Sequence, residues 1–181
     1  MINTIIETKR LYMRQFVQED FTALCKTLQD DKTMYAYNGA LNDVEVQAWL
    51  DRQLARYAKY GFGSWALVLK ENDIIVGQCG LSMQPWINGE LLEVGYLLER
   101  QHWHKGYATE AAQACINYAF EILEVSEVCA MIRSNNYASQ RVALRCNMKR
   151  CDSMVKQYRG INMLHDRYVI VKGDKNERSE Y

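Results

Sequence analysis

Apolar residues recur along the chain in two periods, and these predict alternating helices and strands. Apolar residues that recur every three or four positions are typical of amphipathic helices. Short runs of β-compatible residues between such segments are typical of strands. The predicted helices are Glu19–Leu28, the segment between Asn42 and Gly61, Gly106–Leu123 and Ala138–Arg145. The predicted strands are Leu11–Phe16, Trp65–Leu69, Ile74–Leu81, Leu91–Leu98, Val128–Ile132, Lys149–Lys156 and Met163–Val171.

The order of these elements predicts the class of fold. The two strands on either side of Glu71-Asn72-Asp73 form an antiparallel hairpin, because that polar triplet is typical of a tight turn. A loop containing Pro85 and Asn88-Gly89 is expected after them. The later strand–helix–strand unit is a crossover between parallel strands. The order of elements therefore predicts an α+β domain with a mixed, mostly antiparallel sheet.

Composition narrows the class of protein. With 181 residues, 49% of them hydrophobic, the chain is expected to form one domain over residues 1–172 with a polar tail over 173–181. Its 22 basic and 22 acidic side chains cancel, so no global field favours nucleic acid or an anionic membrane as a partner. No run approaches the roughly 20 apolar residues of a membrane span, and Met1–Arg10 lacks the order of a signal peptide. We expect a cytoplasmic protein.

The cysteines and histidines predict no metal site. The six cysteines form no CxxC pair and fall within apolar segments, which favours buried, reduced thiols. The histidines do not combine with them at ligand spacing. The cysteines are Cys25, Cys79, Cys115, Cys129, Cys146 and Cys151, and the histidines are His102, His104 and His165.

Leu91 to Ala112 carries the clearest chemical signal. A strand runs into a loop whose last residues open a helix at Gly106. Unpaired N–H groups and the positive end of the helix dipole converge at such a point, and a glycine lets an anion approach the backbone. Lys105 adds positive charge. For a lone Lys-Gly pair the alternative, a plain helix start with a solvated lysine, stays open.

A longer run of residues resembles a known family. Trp103-His104-Lys105-Gly106-Tyr107-Ala108-Thr109-Glu110-Ala111 resembles the acyl-CoA pyrophosphate loop of the GNAT superfamily of N-acetyltransferases, in particular its ribosomal-protein N-terminal (alanine/serine) acetyltransferase branch. Further segments match that branch in order, and the likeness covers about Arg10 to Val171. These segments are Gly61-Phe62-Gly63-Ser64-Trp65, Val76-Gly77-Gln78-Cys79-Gly80-Leu81, Glu93-Val94-Gly95-Tyr96-Leu97 and Asn136-Tyr137-Ala138-Ser139.

The resemblance implies a fold and a cofactor site. It implies one GNAT-like domain with six to seven strands, about four flanking helices and a fourth strand that splays from the fifth. Asn136 would bind the pantetheine arm, cap the helix that follows, or do both. Backbone groups that would bind the arm lie in Tyr96, Leu97 and Leu98. Those that would cradle the pyrophosphate lie in His104, Lys105, Gly106, Tyr107, Ala108 and Thr109.

The implied reaction is direct transfer of an acetyl group from acetyl-CoA to a primary amine, on a protein N-terminus or a small molecule. Glu93 interrupts an apolar strand and is our candidate proton acceptor, unless it is a solvated edge residue. Strand alternation puts it on one face with Gly95 and Leu97. Ser139 would lie near the sulfur, although a helix cap alone would also explain it.

Three departures from the family's pattern raise an alternative. Trp103 stands where the superfamily has Gln or Arg, His104 where the branch has glycine, and Ala143 where many members have a tyrosine general acid. They suggest a CoA-binding module with weak or no transferase activity.

The acceptor is not defined by the sequence, nor is the oligomeric state. Tyr35, Tyr37 and Asn38 stand where the family builds the acceptor pocket, and Trp86 is the tryptophan expected to touch the acceptor. His165 is expected to be structural.

Overall fold

The computed structural model describes residues 4–86 and 89–173, which form eight strands and four α-helices. The strands are β1 (Thr4–Glu7), β2 (Leu11–Arg14), β3 (Ser64–Leu69), β4 (Ile75–Trp86), β5 (Gly89–Leu98), β6 (Glu127–Arg133), β7 (Lys149–Tyr158) and β8 (Ile161–Val171). The helices are α1 (Phe21–Leu28), α2 (Asp43–Tyr60), α3 (Tyr107–Glu121) and α4 (Tyr137–Arg145). Short 3₁₀ turns occur at Gln18–Asp20, Tyr35–Tyr37 and Arg100–His102.

All eight strands belong to one sheet, in the order β1-β2-β3-β4-β5-β6-β8-β7. Neighbouring strands are antiparallel except β5 and β6, which are parallel and joined through α3. This confirms the α+β class and the mostly antiparallel mixed sheet. The sequence analysis did not find β1, because four residues with two adjacent isoleucines show no alternation.

Helices cover both faces of the sheet, and β3 shows how the sequence achieves this. Its Trp65, Leu67 and Leu69 belong to the core shared with α3, whereas Ala66 and Val68 belong to the core shared with α1 and α2. Because both faces are buried, β3 is a continuous apolar run rather than an alternating one. On α3, small side chains at Ala111, Cys115 and other buried positions let the helix lie close to the sheet.

The boundaries of α2 follow the capping signals in the sequence. Asn42 Oδ1 accepts a hydrogen bond from the Glu45 N–H at 2.9 Å, and Glu45 Oε2 accepts one from the Asn42 N–H at 2.9 Å. Gly61 ends the helix in the left-handed region at φ 77°. The predicted capping box and stop are confirmed.

The predicted loop around Pro85 is wrong. β4 continues through Pro85 to Trp86, which lies opposite Gly89 at the start of β5. The pairing of β3 with β4 ends at Ser64 opposite Gly80, so the last residues of β4 form an edge, where proline is tolerated. The predicted turn residue Asn88 lies outside the described residues, as does the tail beyond Gly173.

The β7–β8 hairpin reaches across to the α1–α2 side of the sheet. Arg159, in its turn, forms an ion pair with Glu45 and donates to the Ala40 carbonyl at 3.3 Å. Near the turn, the ring of Tyr158 lies edge-on to Tyr37 at 6.3 Å between centroids. The hairpin therefore forms a wall opposite α2.

Most of the cysteines are buried free thiols, as expected. Cys25 is half-buried and Cys151 is exposed, because Cys151 lies at an irregularity of the outer strand β7. The prediction was therefore wrong for Cys151. Among the described residues, no helix is long and apolar enough to cross a membrane.

A close approach of two strands predicts the effect of a Gly80→Ala substitution. A Cβ on Gly80 would lie 2.1 Å from the Gly63 carbonyl oxygen and 2.6 Å from the Ser64 Cα. Because both are backbone atoms, no rotamer change relieves the clash. We expect the free energy of unfolding to fall by about 1–3 kcal/mol, measured by urea denaturation.

Gly95 is the matched control, since it lies directly opposite Gly80 and a Cβ there meets nothing within 4 Å. Gly95→Ala should change the stability by less than about 0.5 kcal/mol. Equal losses in the two variants would contradict the packing described here.

Candidate active site

The parallel strands β5 and β6 separate soon after they meet. Between these two described strands the register has one pair, Glu93 opposite Cys129. In contrast, β4 stays paired with β5 from Gly77 opposite Leu98 to Trp86 opposite Gly89. Residues 94–98 of β5 therefore border a gap on their β6 side. This is the splayed fourth and fifth strand pair that the resemblance implied, and Tyr96 and Leu97 lie along it.

Trp103 fixes the far end of this gap. Its indole Nε1 donates a hydrogen bond to the Leu98 carbonyl at 2.8 Å, and its ring packs on the core beneath α3. One backbone group of Leu98, a residue expected to bind the pantetheine arm, is thus already engaged. Trp103, which departs from the family's pattern, therefore ties the following loop to β5.

The loop enters α3 through two left-handed residues. Gly106 has φ 80° and caps the helix, while His104 has φ 61°. A non-glycine residue in this region costs about 1–2 kcal/mol, so other contacts must hold the loop. The first N–H groups of α3, on Tyr107, Ala108 and Thr109, have no acceptor within the helix. They form the positive end of its dipole.

Arg10 supplies the contacts that hold the loop. Its backbone N–H and its Nε donate to the Glu110 carboxylate at 2.9 and 2.7 Å, and its Nη1 donates to the Lys105 carbonyl at 2.8 Å. The guanidinium lies 4.6 Å from the centre of the Tyr107 ring. Arg10, which immediately precedes β2, therefore contacts both the loop and the first turn of α3.

The charge at this helix start is positive. Hydrogen bonds from Thr8 and Arg10 outweigh burial and hold the pKa of Glu110 below its usual value, so Glu110 is an ionised partner of Arg10. Arg10 Nη2 lies 3.4 Å from the place of a Cβ on Gly106, and apart from the two neighbouring residues no other described residue has an atom within 4 Å of it. Arg10 and Lys105 are two cations beside open space and the free N–H groups of the helix start. This arrangement suits an anionic ligand.

The sequence analysis did not identify Arg10. Its partners lie 95 to 100 residues later in the chain, and no local pattern distinguishes it from the neighbouring Lys9.

The start of α4 faces the gap from the other side. Asn136 Oδ1 accepts from the Ser139 N–H at 3.1 Å and from the Tyr35 hydroxyl at 2.6 Å. The helix-cap role of Asn136 is therefore present. Its Nδ2 makes no hydrogen bond within the described chain, so it remains able to donate to a ligand.

Ser139 and Tyr96 are joined by two hydrogen bonds. Ser139 Oγ donates to the Tyr96 hydroxyl at 3.1 Å, and this hydroxyl donates to the Ser139 carbonyl at 2.9 Å. Burial raises the pKa of Tyr96 well above its usual value, so the phenol stays protonated. Ala143, at the family's tyrosine position, is fully buried in the core and offers no polar group.

Glu93 lies on the wall of a cavity of about 400 Å³ on the α1–α2 side of the sheet. Gly95 and Leu97 share this wall, as strand alternation predicts. Glu93 is half-buried on a central strand, so the interpretation as a solvated edge residue is wrong. Its Oε1 accepts from the Met131 N–H at 3.1 Å. Burial raises the pKa of Glu93, although Lys156 and Arg56 oppose the shift.

The structure places the residues discussed for the acceptor region at different distances from the cavity. His165, expected to be structural, lines the cavity, and burial lowers its pKa so that it is neutral near pH 7. Trp86 is not among the residues lining the cavity; its ring lies 5.0 Å from the Arg167 guanidinium. Tyr37 does line the cavity, whereas Tyr35 binds Asn136, and Asn38 turns the chain at φ 60°.

The mixed sheet and its splayed parallel pair agree with the GNAT-like domain that the resemblance implied. A family model described as acetyltransferase (GNAT) domain matches residues 10–149. The chain belongs to the GNAT acetyltransferase family, and it is an acetyltransferase.

Two curated proteins from Bacillus species are similar to the chain over most of its length. The uncharacterised protein YkkB of Bacillus subtilis is 32% identical over 80% of this chain and 85% of its own length. The uncharacterised N-acetyltransferase p20 of Bacillus licheniformis is 32% identical over 73% of this chain and 75% of its own length.

Solved structures share the fold. A GNAT-family acetyltransferase from Bacillus anthracis has a TM-score of 0.79 at 22% identity, covering 92% of this chain and 97% of its own. The ribosomal L7/L12 alpha-N-protein acetyltransferase RimL, in complex with coenzyme A, has a TM-score of 0.74 at 16% identity, covering 93% of this chain and 98% of its own. The likeness in fold thus extends to a ribosomal-protein acetyltransferase.

The contacts of Arg10 predict a role in binding coenzyme A. Arg10→Gln removes a cation beside Gly106 and frees the Lys105 carbonyl, so we expect about tenfold weaker binding of coenzyme A by isothermal titration. Lys9→Gln is the control, because it removes the same charge from an exposed neighbouring residue that makes no hydrogen bond or ion pair among the described residues. Equal affinities of the two variants would show that Arg10 does not shape the loop.

Proposed function

We propose that the protein is an acetyl-CoA-dependent N-acetyltransferase that moves an acetyl group directly to a primary amine. The observation that carries this proposal is the gap beside β5, which runs from the positive start of α3 to the cavity that holds Glu93. A thioester lying along β5 would present its acyl carbon where an amine and a carboxylate meet. RimL, which shares the fold, is known in complex with coenzyme A, and this supports coenzyme A as the ligand of the gap.

The residues at the loop would hold the cofactor by its charge. Backbone N–H groups of His104, Lys105, Gly106, Tyr107, Ala108 and Thr109 surround the pyrophosphate, with Arg10 and the Lys105 side chain as supporting cations. Backbone groups of Tyr96 and Leu97 bind the pantetheine arm along the gap. The free Nδ2 of Asn136 donates to the same arm. We assign Leu98 a supporting place only, because Trp103 engages its carbonyl.

Glu93 is the proton acceptor in this proposal. The amine nitrogen bonds to the acetyl carbon, the carbon–sulfur bond breaks, and the nitrogen loses a proton to Glu93, directly or through water. Oε1 is engaged by the Met131 N–H, which fixes the carboxylate and leaves Oε2 for the proton. Desolvation strengthens Glu93 as a base, because its pKa lies above that of a free glutamate.

Ser139 stabilises the leaving thiolate. Its hydroxyl turns from Tyr96 to donate a hydrogen bond to the sulfur, which then takes its proton from solvent. Tyr96 keeps its hydrogen bond to the Ser139 carbonyl and so holds the start of α4 in place.

The alternative, a CoA-binding module without robust transferase activity, finds no support in the site. Trp103 anchors the loop, Arg10 offsets the strained loop at His104, and Glu93 and Ser139 both border the gap or its cavity. A cytoplasmic location is part of the proposal, and the buried free thiols agree with it.

The acceptor class is either a protein N-terminus or a small-molecule amine. RimL, by its name, acts on a ribosomal protein, which makes an N-terminal amine one candidate. Acetyl transfer from acetyl-CoA to peptides, polyamines and other small amines, followed by mass spectrometry, tests the function. Transfer to no member of the panel would contradict it.

Gly106→Glu gives the sharpest test of the cofactor site. It places a carboxylate where the pyrophosphate is proposed to lie, so we expect binding of acetyl-CoA and acetyl transfer to be lost. Gly61→Glu is the control for backbone strain, since φ is 77° at Gly61 and 80° at Gly106. Unchanged affinity in Gly106→Glu would show that the pyrophosphate lies elsewhere.

The pKa of Glu93 predicts the acidic side of the pH profile. Because that pKa is raised, Glu93 becomes protonated at a pH above about 4.5, the usual pKa of a glutamate. As the pH is lowered through the pKa of Glu93, kcat/KM should therefore fall. Glu93→Gln should lower kcat by about 10²–10⁴-fold and remove this limb. A profile with the same acidic limb in Glu93→Gln would exclude Glu93 as the base.

The proposed role of Ser139 predicts that its removal lowers turnover but not the affinity for coenzyme A. Ser139→Ala should lower kcat by about tenfold with little change in the Kd of coenzyme A, since the hydrogen bond forms to the developing thiolate. Tyr96→Phe breaks the same Ser139–Tyr96 contact but keeps the serine hydroxyl, so it should retain more activity. Equal losses of turnover and affinity in Ser139→Ala would assign Ser139 to binding instead.

A further inference from the structure

The cavity beside Glu93 carries more positive than negative charge. Arg56 from α2 and Lys156 from β7 line it together with Glu93, and Glu93 is the only carboxylate among the described lining residues. His165, on the same wall, is neutral near pH 7. The wall therefore carries one net positive charge when Glu93 is ionised.

The two cations lack anionic partners of their own. Other half-buried arginines have partners: Arg14 pairs with Asp20 at 2.6 Å, Arg167 pairs with Asp152 at 2.8 Å, and Arg133 donates to the Tyr35 carbonyl at 2.9 Å. Arg56 and Lys156 are half-buried as well, yet in the described part of the chain neither makes a hydrogen bond or an ion pair. Withdrawing a cation from water without a counter-charge costs free energy, so an anion in this cavity would be stabilised.

The positions of the charges divide the cavity into two parts. Glu93 lies on β5 at the sheet floor, whereas Arg56 and Lys156 come from the helix and hairpin that stand over it. Both cations act on Glu93, since Lys156 and Arg56 lower its pKa against the effect of burial. An amine beside Glu93 would therefore lie within electrostatic reach of both cations. A volume of about 400 Å³ suits a small ligand or the first residues of a peptide.

We propose that the acceptor is a primary amine that itself carries a carboxylate, as an amino acid or an acidic peptide N-terminus does. The amine lies beside Glu93, and the carboxylate lies against Arg56 and Lys156. A polyamine is disfavoured, because its second ammonium group would meet these cations. This inference rests on the proposed acetyl transfer and adds the class of acceptor to it.

The charge balance of the reaction agrees with this class of acceptor. The amine nitrogen enters as an ammonium and loses one proton to solvent, and it loses a second proton to Glu93 as it bonds to the acetyl carbon. It becomes a neutral amide as the carbon–sulfur bond breaks, and the thiolate takes a proton from solvent. The carboxylate of the acceptor is unchanged. The cations on the wall therefore bind the acceptor through a group that does not react.

The experiment compares acceptors that differ in one charge. Rates of acetyl transfer from acetyl-CoA are measured for C-terminally amidated Ala-Glu, Ala-Gln and Ala-Lys, for free glutamate and its diamide, and for spermidine. We expect kcat/KM for the acid to exceed that of its matched amide by about tenfold or more, in the peptide pair or in the free amino-acid pair. Whichever pair shows the preference identifies the source of the carboxylate.

Variants of the wall test the same claim from the protein side. Arg56→Gln and Lys156→Gln should each lower kcat/KM for the preferred acid about tenfold more than for its matched amide. The amide measures any effect of the lost charge on Glu93 itself. Arg56→Lys should restore part of the preference, because it keeps the charge. Arg52→Gln is the control, since Arg52 is an exposed residue of the same helix that does not line the cavity. Thermal unfolding midpoints confirm that the variants are folded.

Two results would overturn the inference. One is equal or faster acetylation of spermidine or of the amides, and the other is an equal loss for acid and amide in the two glutamine variants. The failure of the proposed function looks different, because then no amine is acetylated by the wild-type protein at all. Binding of the acid in the presence of coenzyme A, measured by titration calorimetry, gives a readout that does not need turnover.

Discussion

A side chain ends the ladder between the two parallel strands, and the rest of the site depends on this contact. The Met131 N–H of β6 donates to the Glu93 carboxylate rather than to a backbone carbonyl of β5. Among the described residues, β5 and β6 pair only at Glu93 opposite Cys129, and the two strands then diverge. The same carboxylate therefore borders the gap and reaches the cavity on the α1–α2 side. One residue joins the path of the cofactor to the place of the acceptor.

The loop before α3 meets this gap because distant residues hold it. Trp103 ties the loop to the end of β5, and Arg10 ties it to Glu110 and to the strand region before β2. These contacts offset the unfavourable left-handed conformation of His104. The overall charge of the chain is zero, with 22 charges of each sign, so anions are bound by local arrangements of charge. The start of α3 is one such arrangement, and the pair Arg56 and Lys156 is proposed as the second.

The sequence predicted the features that depend on neighbouring residues. The capping box of α2, the start of α3 at Gly106 and the shared face of Glu93 and Gly95 follow from local spacing. Features that depend on partners far along the chain were missed or wrong. Arg10 binds Glu110 across 100 residues, and Pro85 is tolerated in β4 because β3 ends early. His165 enters the cavity through the packing of a hairpin against α2, which no local pattern reports.

The central claim is that the gap beside β5 leads the cofactor from the start of α3 to Glu93. A crystal structure of the protein with coenzyme A measures this directly. The account predicts the pyrophosphate at residues 104–109, the pantetheine arm along Tyr96 and Leu97, and the sulfur between Ser139 and Glu93. A pyrophosphate bound away from the start of α3, or a sulfur on the far side of the sheet from Glu93, would contradict it.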